Sequence, residues 1–563
     1  MDIKKRRDKC NTILDVVLAN TGYENENDFL FPEKAYNIDR LDDAVELVKK
    51  AIKSKQNIHI FADYDADGIT SAAILEKSIT AKGGKVDVRL PKRFSEGYGI
   101  SIKAIDDYND GLLITVDNGI AAYDAIEVAK AKGLTVIIID HHLAPEDGRI
   151  PNADVVIDPN AIKDSADFNS YCGAGLSYKF AIALLGKEHK LIQKLVSFAA
   201  IGTVADVMPL VEENRIIVKQ GLKSMVTYAG RTTGLGALLE KCNMDNHISE
   251  KDIGFKIGPI INAAGRLFDD GAKKSFDVIS FNGAISKAKE LAEELYEINE
   301  KRKELKETGM EIVTKVIEDE CLFGDNPLIV YKEGLPEGLA GIYAGQLAEE
   351  YKVPCFVLTN SDDSDIIKGS GRTYGGVNIK ELLDKNAKYL YKHGGHAEAA
   401  GISLKKENLD DFRIAMIESA PEVKVEDVIY YDLEIESNDI ESTLNELQKY
   451  APFGEGNKEI VFLIKDFMLS PRMKGCFDTL GADNQHLKLF GVNANGIGFN
   501  MAKRYNEIGQ PKNLNIVGTL STNYFMGRAS TQVELINIEN ASTEIKKTDM
   551  ASLLANMAKA RYS

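Results

Sequence analysis

At 563 residues the chain exceeds what one hydrophobic core serves, and a domain size of about 150 residues gives three to four domains. Its 44% hydrophobic and 28% charged residues are ordinary for a globular protein; no apolar run approaches the roughly 20 residues of a bilayer span and the N-terminus is too polar for a secretory leader, so an integral membrane protein is excluded and a cytoplasmic one expected. With 86 acids against 69 bases the net charge is −17, a diffuse field that repels nucleic acid, so a phosphate-bearing substrate must be held by local positive charge or by metal.

Residues 1–44 read as a helical segment. From 45 to 210, short apolar runs (NIHIFA, KVDVRL, LLITVD, TVIIID, ADVVID) alternate with helix-like stretches (SAAILEKSITAKG, AAYDAIEVAKAKG), which predicts a parallel sheet with helical crossovers. Ligands of such sheets collect beyond the carboxyl ends of the strands, and three of those ends carry acids here. Residues 211–320 are expected to be helical. Within them, 283–319 keeps Ile285, Leu291, Leu295, Ile298 and Leu305 amid charges, with Gly309 as the single interior break, so one long helix or two abutting ones connect the domains. Residues 321–418 read as a second α/β unit with strands PLIVYK and CFVLTN and the helix LAGIYAGQLAEEY. Net charge then switches from −8 over 422–459 to +4 over 460–530, and short strands at even spacing predict a small all-β barrel over 422–545, followed by a tail at 546–563. The six cysteines (Cys10, Cys172, Cys242, Cys321, Cys355, Cys476) form no CxxC pair and are expected to be reduced.

The chemistry concentrates in HIFADYDADGITS, where a strand runs into Asp63, Asp65 and Asp67 and Gly68 turns the backbone into a helix. Acids at alternate positions can aim several oxygens at one point, where their repulsion is costly unless divalent cations intervene. A calcium loop of the EF-hand type would need a bidentate Glu at its twelfth position, which is Ile74 here. LLITVDNG ends in Asp117, and TVIIIDHH ends in Asp140, His141 and His142. Taken singly, a strand-end Asp is more often a cap and a His more often structural; together, three parallel strands deliver carboxylates and imidazoles to one edge. Mixed oxygen and nitrogen ligands without thiolate favour Mn²⁺ or Mg²⁺ over Zn²⁺. Asp206 in IGTVADVMPL, taken alone, reads as an N-cap or loop acid.

The order DYDADG, TVDNG, DHH, GTVADVMPL resembles the DHH phosphoesterase superfamily and, within it, the RecJ family of single-strand-specific 5′ to 3′ exonucleases. The blocks RFSEGYG, CGAGLSYK, GPIINAAGRL, GSGRT, GGHAEAAG and PFGEGN follow in the family's order. The resemblance implies an α/β fold in which a parallel-sheet DHH domain is joined by a long helix to a DHH-associated α/β domain, with a C-terminal all-β OB-fold. It implies hydrolysis of single-stranded DNA to 5′-mononucleotides in repair and recombination, with two divalent cations, Mn²⁺ or Mg²⁺. Asp65 and Asp117 would hold one ion and Asp67, Asp117, His141 and Asp206 the other. Asp63 would stand near the first, while His142 would face the scissile phosphate and Asp140 join the catalytic group. Partners would be single-stranded DNA, a helicase and a single-strand-binding protein, with no membrane.

By the same resemblance Ser370, Arg372, Gly395 and His396 would grip the substrate phosphate, although from their residue types alone two glycine-rich turns are an equal reading. Arg93, Asn262 and Arg266 would contact the strand's backbone. Tyr98 suits stacking on a base and equally suits a core, and Lys488 and Tyr524 lie in the locally basic final domain with His486. Where the family commonly has a Trp-His pair this chain has Leu335-Pro336, and Gln346 and Ile260 replace frequent arginines, which thins the positive lining expected of a DNA channel. Two rivals remain. The small-substrate phosphatases of the superfamily are shorter and lack the closing β domain, and its non-catalytic replication scaffolds have lost the acids and histidines that stand intact here.

Overall fold

The computed structural model describes residues 2–541 apart from 33–35, 146, 229–232, 245–246, 362–364, 424–427, 472–474, 482 and 526–527; the expected tail at 546–563 lies outside the described residues. The chain forms two compact units, one from residues 37–206 and 220–426 and the other from 1–36, 207–219 and 427–563. No helix among the described residues is long and apolar enough to cross a membrane.

The larger unit begins with a five-stranded parallel sheet in the order Lys85–Arg89, Asn57–Ala62, Leu112–Val116, Thr135–Ile139, Val155–Ile157. The central strand Leu112–Val116 is buried at every position, as a strand covered on both faces must be, which is why it reads as a continuous apolar run. The strand order reverses between Asn57–Ala62 and Leu112–Val116, so the crevice where such sheets bind ligands opens between Asp63 and Asp117. Helix Ala66–Ala81 leaves the first strand and is buried almost all round by helices Gly173–Leu185 and Ile192–Ala205.

Residues Ile285–Asp319 form one helix of 35 residues, roughly 52 Å long, and not two abutting ones. Gly309 does not break it. A Cβ there would fall on the ring and hydroxyl of the fully buried Tyr343, which donates to the Leu305 carbonyl at 3.0 Å, so the glycine lets helix Ala340–Tyr351 approach. The second sheet runs Leu390–Gly395, Ala399–Lys405, Ile366–Arg372, Cys355–Asn360, Leu328–Tyr331, with the last pair parallel and the others antiparallel. Phe356, Phe412 and Met416 fill the core against one of its faces.

The smaller unit is a seven-stranded sheet in the order Leu433–Glu436, Phe462–Met468, Asn513–Phe525, Arg528–Asn540, Asn495–Gly498, His486–Phe490, Phe477–Leu480, antiparallel except for two parallel pairs. It also carries helices Ile440–Leu447 and Ala502–Glu507. Of the helical segment expected over residues 1–44, the first 36 residues belong to this unit. Val16, Val17 and Phe29 are buried in one cluster with Ile440, Tyr450 and Phe462, and Asp2–Lys5 pairs in parallel with Val428–Tyr431. Arg215 fastens the join, stacking 4.1 Å from the Phe29 ring and donating to the carbonyls of Phe29, Lys449 and Ala451. Pairing across more than 400 residues leaves no trace in local periodicity.

Candidate metal centre and phosphate cradle

Each acid is set by the element it ends or begins. Asp65 caps helix Ala66–Ala81, its Oδ1 accepting the amides of Asp67 at 3.0 Å and Gly68 at 3.1 Å. Asp67, buried in the first turn, accepts the amides of Gly173 at 2.7 Å and Ala174 at 2.9 Å, so the N-terminus of helix Gly173–Leu185 points its unpaired donors at this carboxylate. Asp117 follows its strand in the left-handed region, φ 59°, a conformation that costs a non-glycine residue energy and redirects the side chain into the crevice. Asp206 stands at the C-cap of helix Ile192–Ala205 rather than at an N-cap or in a loop. A carboxylate there faces the negative end of the helix dipole and gains from a nearby cation.

These side chains converge. Asp63, Asp65 and Asp117 form one group of candidate ligands, Asp67, His141 and Asp206 a second, and Asp117, His141 and His142 a third, with donor atoms inside each group within 4.8 Å of one another. His141 Nε2 lies 3.0 Å from Asp117 Oδ1, 3.6 Å from Asp206 Oδ2 and 3.7 Å from Asp67 Oδ2. Asp117 thus belongs to both sides of the cluster. Burial and then the neighbouring Asp65 push Asp63 well above the usual carboxylate range, burial and Asp67 raise Asp65 and Asp117, and burial with Asp67 pushes Asp206 up to about 8. Burial lowers His141, which favours the neutral imidazole that ligates metal. Asp63 Oδ1 is buried without a hydrogen-bond partner. Crowded carboxylates, an orphaned oxygen and a neutral imidazole fit a pair of divalent cations of oxygen and nitrogen preference.

Asp140 is in none of these three groups. Its Oδ1 accepts His142 Nδ1 at 2.7 Å and the His141 amide at 2.8 Å, and its Oδ2 accepts the Ile120 amide at 2.9 Å. Burial alone would discharge His142, but this hydrogen bond and the Asp140 charge hold it up at about 9, and the same bond holds Asp140 low. Tyr98 is 55% exposed, while its hydroxyl lies 3.2 Å from the His142 ring and 3.3 Å from the Asp117 carbonyl. Asn160, which carried no recognisable signal, donates to the His141 carbonyl at 2.5 Å. Asp158 orders that turn by accepting the amides of Asn160 and Ala161, each at 3.0 Å.

Positive charge gathers beside the acids. Arg93 stacks 4.5 Å from the Tyr64 ring, and Arg372, at the end of strand Ile366–Arg372, lies against Gly341. Arg266, in helix Gly258–Leu267, is pushed down to about 10 by burial and then by Arg93, Arg302 and Arg372, while Asp65 opposes the shift. Arg302 went unremarked in the sequence because it sits among many charges on the long helix. Asn262, on the helix of Arg266, keeps a buried Oδ1 without a partner, and Ser370 is on the strand of Arg372. Gly395 ends edge strand Leu390–Gly395, and His396 beyond it is exposed. In the other unit Lys488 is half-buried on His486–Phe490, with two strands between it and the strand of Tyr524, which is 44% exposed; nearby His486 meets the 70% exposed Phe499 edge-on at 5.2 Å. Leu335 and Ile260 are buried in cores and Gln346 is exposed.

Comparison with known proteins matches all three regions. Residues 57–203 match the DHH family N-terminal domain, 324–420 the DHHA1 domain and 431–537 the RecJ OB domain. The single-stranded-DNA-specific exonuclease RecJ of Haemophilus influenzae is 32% identical over 544 residues, covering 91% of this chain and 92% of the relative. That of Bacillus subtilis is 31% identical over 527 residues, covering 91% of this chain and 64% of the relative. Among solved structures, RecJ of Thermus thermophilus in complex with Mn²⁺ superposes with a TM-score of 0.77 at 25% identity, covering 94% of this chain and 76% of that one.

Proposed function

The chain belongs to the RecJ family, and from that premise we propose that it is a metal-dependent exonuclease that degrades single-stranded DNA from the 5′ end to 5′-mononucleotides. One observation carries the reading: Asp63, Asp65, Asp67, Asp117, His141, His142 and Asp206 meet at the switch point of the first sheet with donor atoms within 4.8 Å in each group. Asp65 and Asp117 would hold one cation, with Asp63 beside it, and Asp67, Asp117, His141 and Asp206 would hold the other. When bound, such a pair of ions activates a water and stabilises the leaving oxygen of an in-line displacement.

The protein's own groups do the rest. Asp140 orients His142 and keeps its proton, so that the imidazolium presents a positive donor to the scissile phosphate. Arg372 and Ser370 grip the terminal phosphate, with Gly395 and His396 on the neighbouring turn; Arg93, Asn262 and Arg266 follow the strand's backbone, and Tyr98 offers its exposed ring to a base. Residues 45–210 act as the catalytic domain, 211–320 as the helical connector, 321–418 as the phosphate-gripping domain and 422–545 as a strand-binding domain using Lys488 and Tyr524. A cytoplasmic enzyme of repair and recombination, supplied with single strands by a helicase and assisted by a single-strand-binding protein, fits this chemistry.

The test is digestion of a 5′-labelled single strand and its duplex, with Mn²⁺ or with chelator. The label should leave the single strand as mononucleotide, only with metal, and the blunt duplex should persist. A single strand left intact with Mn²⁺ present would refute the assignment.

A further inference from the structure

A cavity of about 550 Å³ opens beside Val155–Ile157, the edge strand of the first sheet, wholly within the larger unit. That is within the range of small-molecule sites, roughly 300–1,000 Å³. Its walls include the aliphatic side chains of Ile38, Pro151, Val156, Ile157 and Ile162. Asp158 lines the same space and is 2% exposed. Its Oδ1 accepts the amides of Asn160 and Ala161, each at 3.0 Å, while its Oδ2 is buried without a partner. A buried carboxylate oxygen in aliphatic surroundings is costly until a donor or a positive charge meets it.

The chemistry of that partner is constrained. A hard divalent cation takes several oxygen ligands, and Asp158 is in none of the groups of candidate metal ligands among the described residues. An alkyl ammonium suits both features, because its N–H groups can donate to Oδ2 and its methylenes can lie on isoleucine and proline. The rim adds a second acid. Asp39 is exposed, lines the cavity and is fixed by its amide, which donates to the Ser165 carbonyl at 2.7 Å; its carboxylate has no ion-pair partner among the described residues. Arg40, a cation at the same rim, is engaged by the Asp43 carboxylate at 2.5 Å and the Asp154 carbonyl at 2.9 Å.

We propose that this cavity binds a linear aliphatic diamine, with one ammonium on Asp158 Oδ2, the methylene chain along the aliphatic wall and the second ammonium at Asp39. The site stands apart from the exonuclease reading and does not rest on it. It adjoins the metal centre all the same, since Asp158 orders the turn from which Asn160 donates to the His141 carbonyl at 2.5 Å.

The experiment is isothermal titration calorimetry of 1,4-diaminobutane into the full chain at pH 8, with chelator and without DNA. One diamine per chain is expected. Asp158→Asn keeps the acceptor for the two amides and removes the charge, so it should weaken binding at least about tenfold, as loss of a charge-assisted contact dictates. Asp39→Asn, a change at an exposed residue, should weaken it about three- to tenfold, and butylamine should bind the wild-type chain about as weakly as the diamine binds Asp39→Asn. No binding to the wild-type chain, or an affinity unchanged in Asp158→Asn, would overturn the site. So would an affinity unchanged in Asp39→Asn, which tests the second contact whatever Asp158→Asn does to folding. Several diamines per chain, indifferent to both changes, would reveal only attraction to an acidic surface and would overturn it too.

Discussion

His142 Nδ1 lies 2.7 Å from Asp140 Oδ1, and the second oxygen of that carboxylate is anchored by the Ile120 amide at 2.9 Å. The imidazole is therefore held in one orientation by a residue that is in none of the three groups of candidate ligands. Asp140→Asn keeps the shape and removes the charge. Its kcat is expected to fall about 10–100-fold with KM for single strands nearly unchanged, the usual cost of losing a group that orients a site residue. Steady-state kinetics check this; a rise in KM at constant kcat would place Asp140 in strand binding instead.

Gly202 is packed so closely under the site that a Cβ would fall on Asp67 Oδ1 and lie 2.5 Å from the Ala174 Cβ. Gly202→Ala is expected to cost about 1–3 kcal/mol of stability, as overpacking does. It should also weaken Mn²⁺ binding by displacing Asp67. Thermal unfolding with and without Mn²⁺ measures both effects, and an unchanged Mn²⁺-induced rise in Tm would show that Asp67 is not displaced.

The acids and histidines of the site were legible in the sequence because strand ends in a parallel sheet share an edge, so DYDADG, Asp117 and DHH had to meet. What brings Asp206 to them was not legible. It arrives from a helix C-terminus, and that helix approaches only because Gly202 and Ala174 are small. The amides of Gly173 and Ala174 on Asp67, and Asn160 on the His141 carbonyl, are backbone contacts that residue type does not encode. The long helix was legible from its periodicity, whereas the role of Gly309 was not, since glycine reads as a break until its neighbour Tyr343 is seen. Placement of the first 36 residues depended on pairing with Val428–Tyr431, far along the chain.

Asp158 supplies the pH prediction. Burial, and then Asp140, pushes its carboxyl up to about 7, and its Oδ2 is buried without a partner. A carboxyl raised in the folded state binds more protons there than in the unfolded chain. Its ionisation therefore costs stability as pH climbs from the usual carboxylate range toward 7, and the full cost is present above that value. Asp158→Asn keeps the acceptor for the Asn160 and Ala161 amides and removes the charge. It should raise Tm at pH 8 and leave it nearly unchanged at pH 4; a gain of equal size at both values would contradict the assignment.

Gly309→Ala ordinarily stabilises a helix by about 0.5–1 kcal/mol. Here the added methyl meets Tyr343, so destabilisation of about 1–3 kcal/mol is expected. The double change Gly309→Ala with Tyr343→Phe should cost less than the sum of the two, because the phenylalanine removes the hydroxyl that clashes. Denaturant unfolding of the four proteins measures the coupling, and strict additivity would show that the two residues do not meet.

The most direct test is a count of bound Mn²⁺ by equilibrium dialysis on the wild-type chain and on Asp117→Ala, read alongside hydrolysis of a single strand. Two ions per wild-type chain are expected, with at most one retained and turnover lost, but strand binding kept, in Asp117→Ala. Saturation at a single ion in the wild type, or undiminished turnover without Asp117, would contradict a shared cation pair.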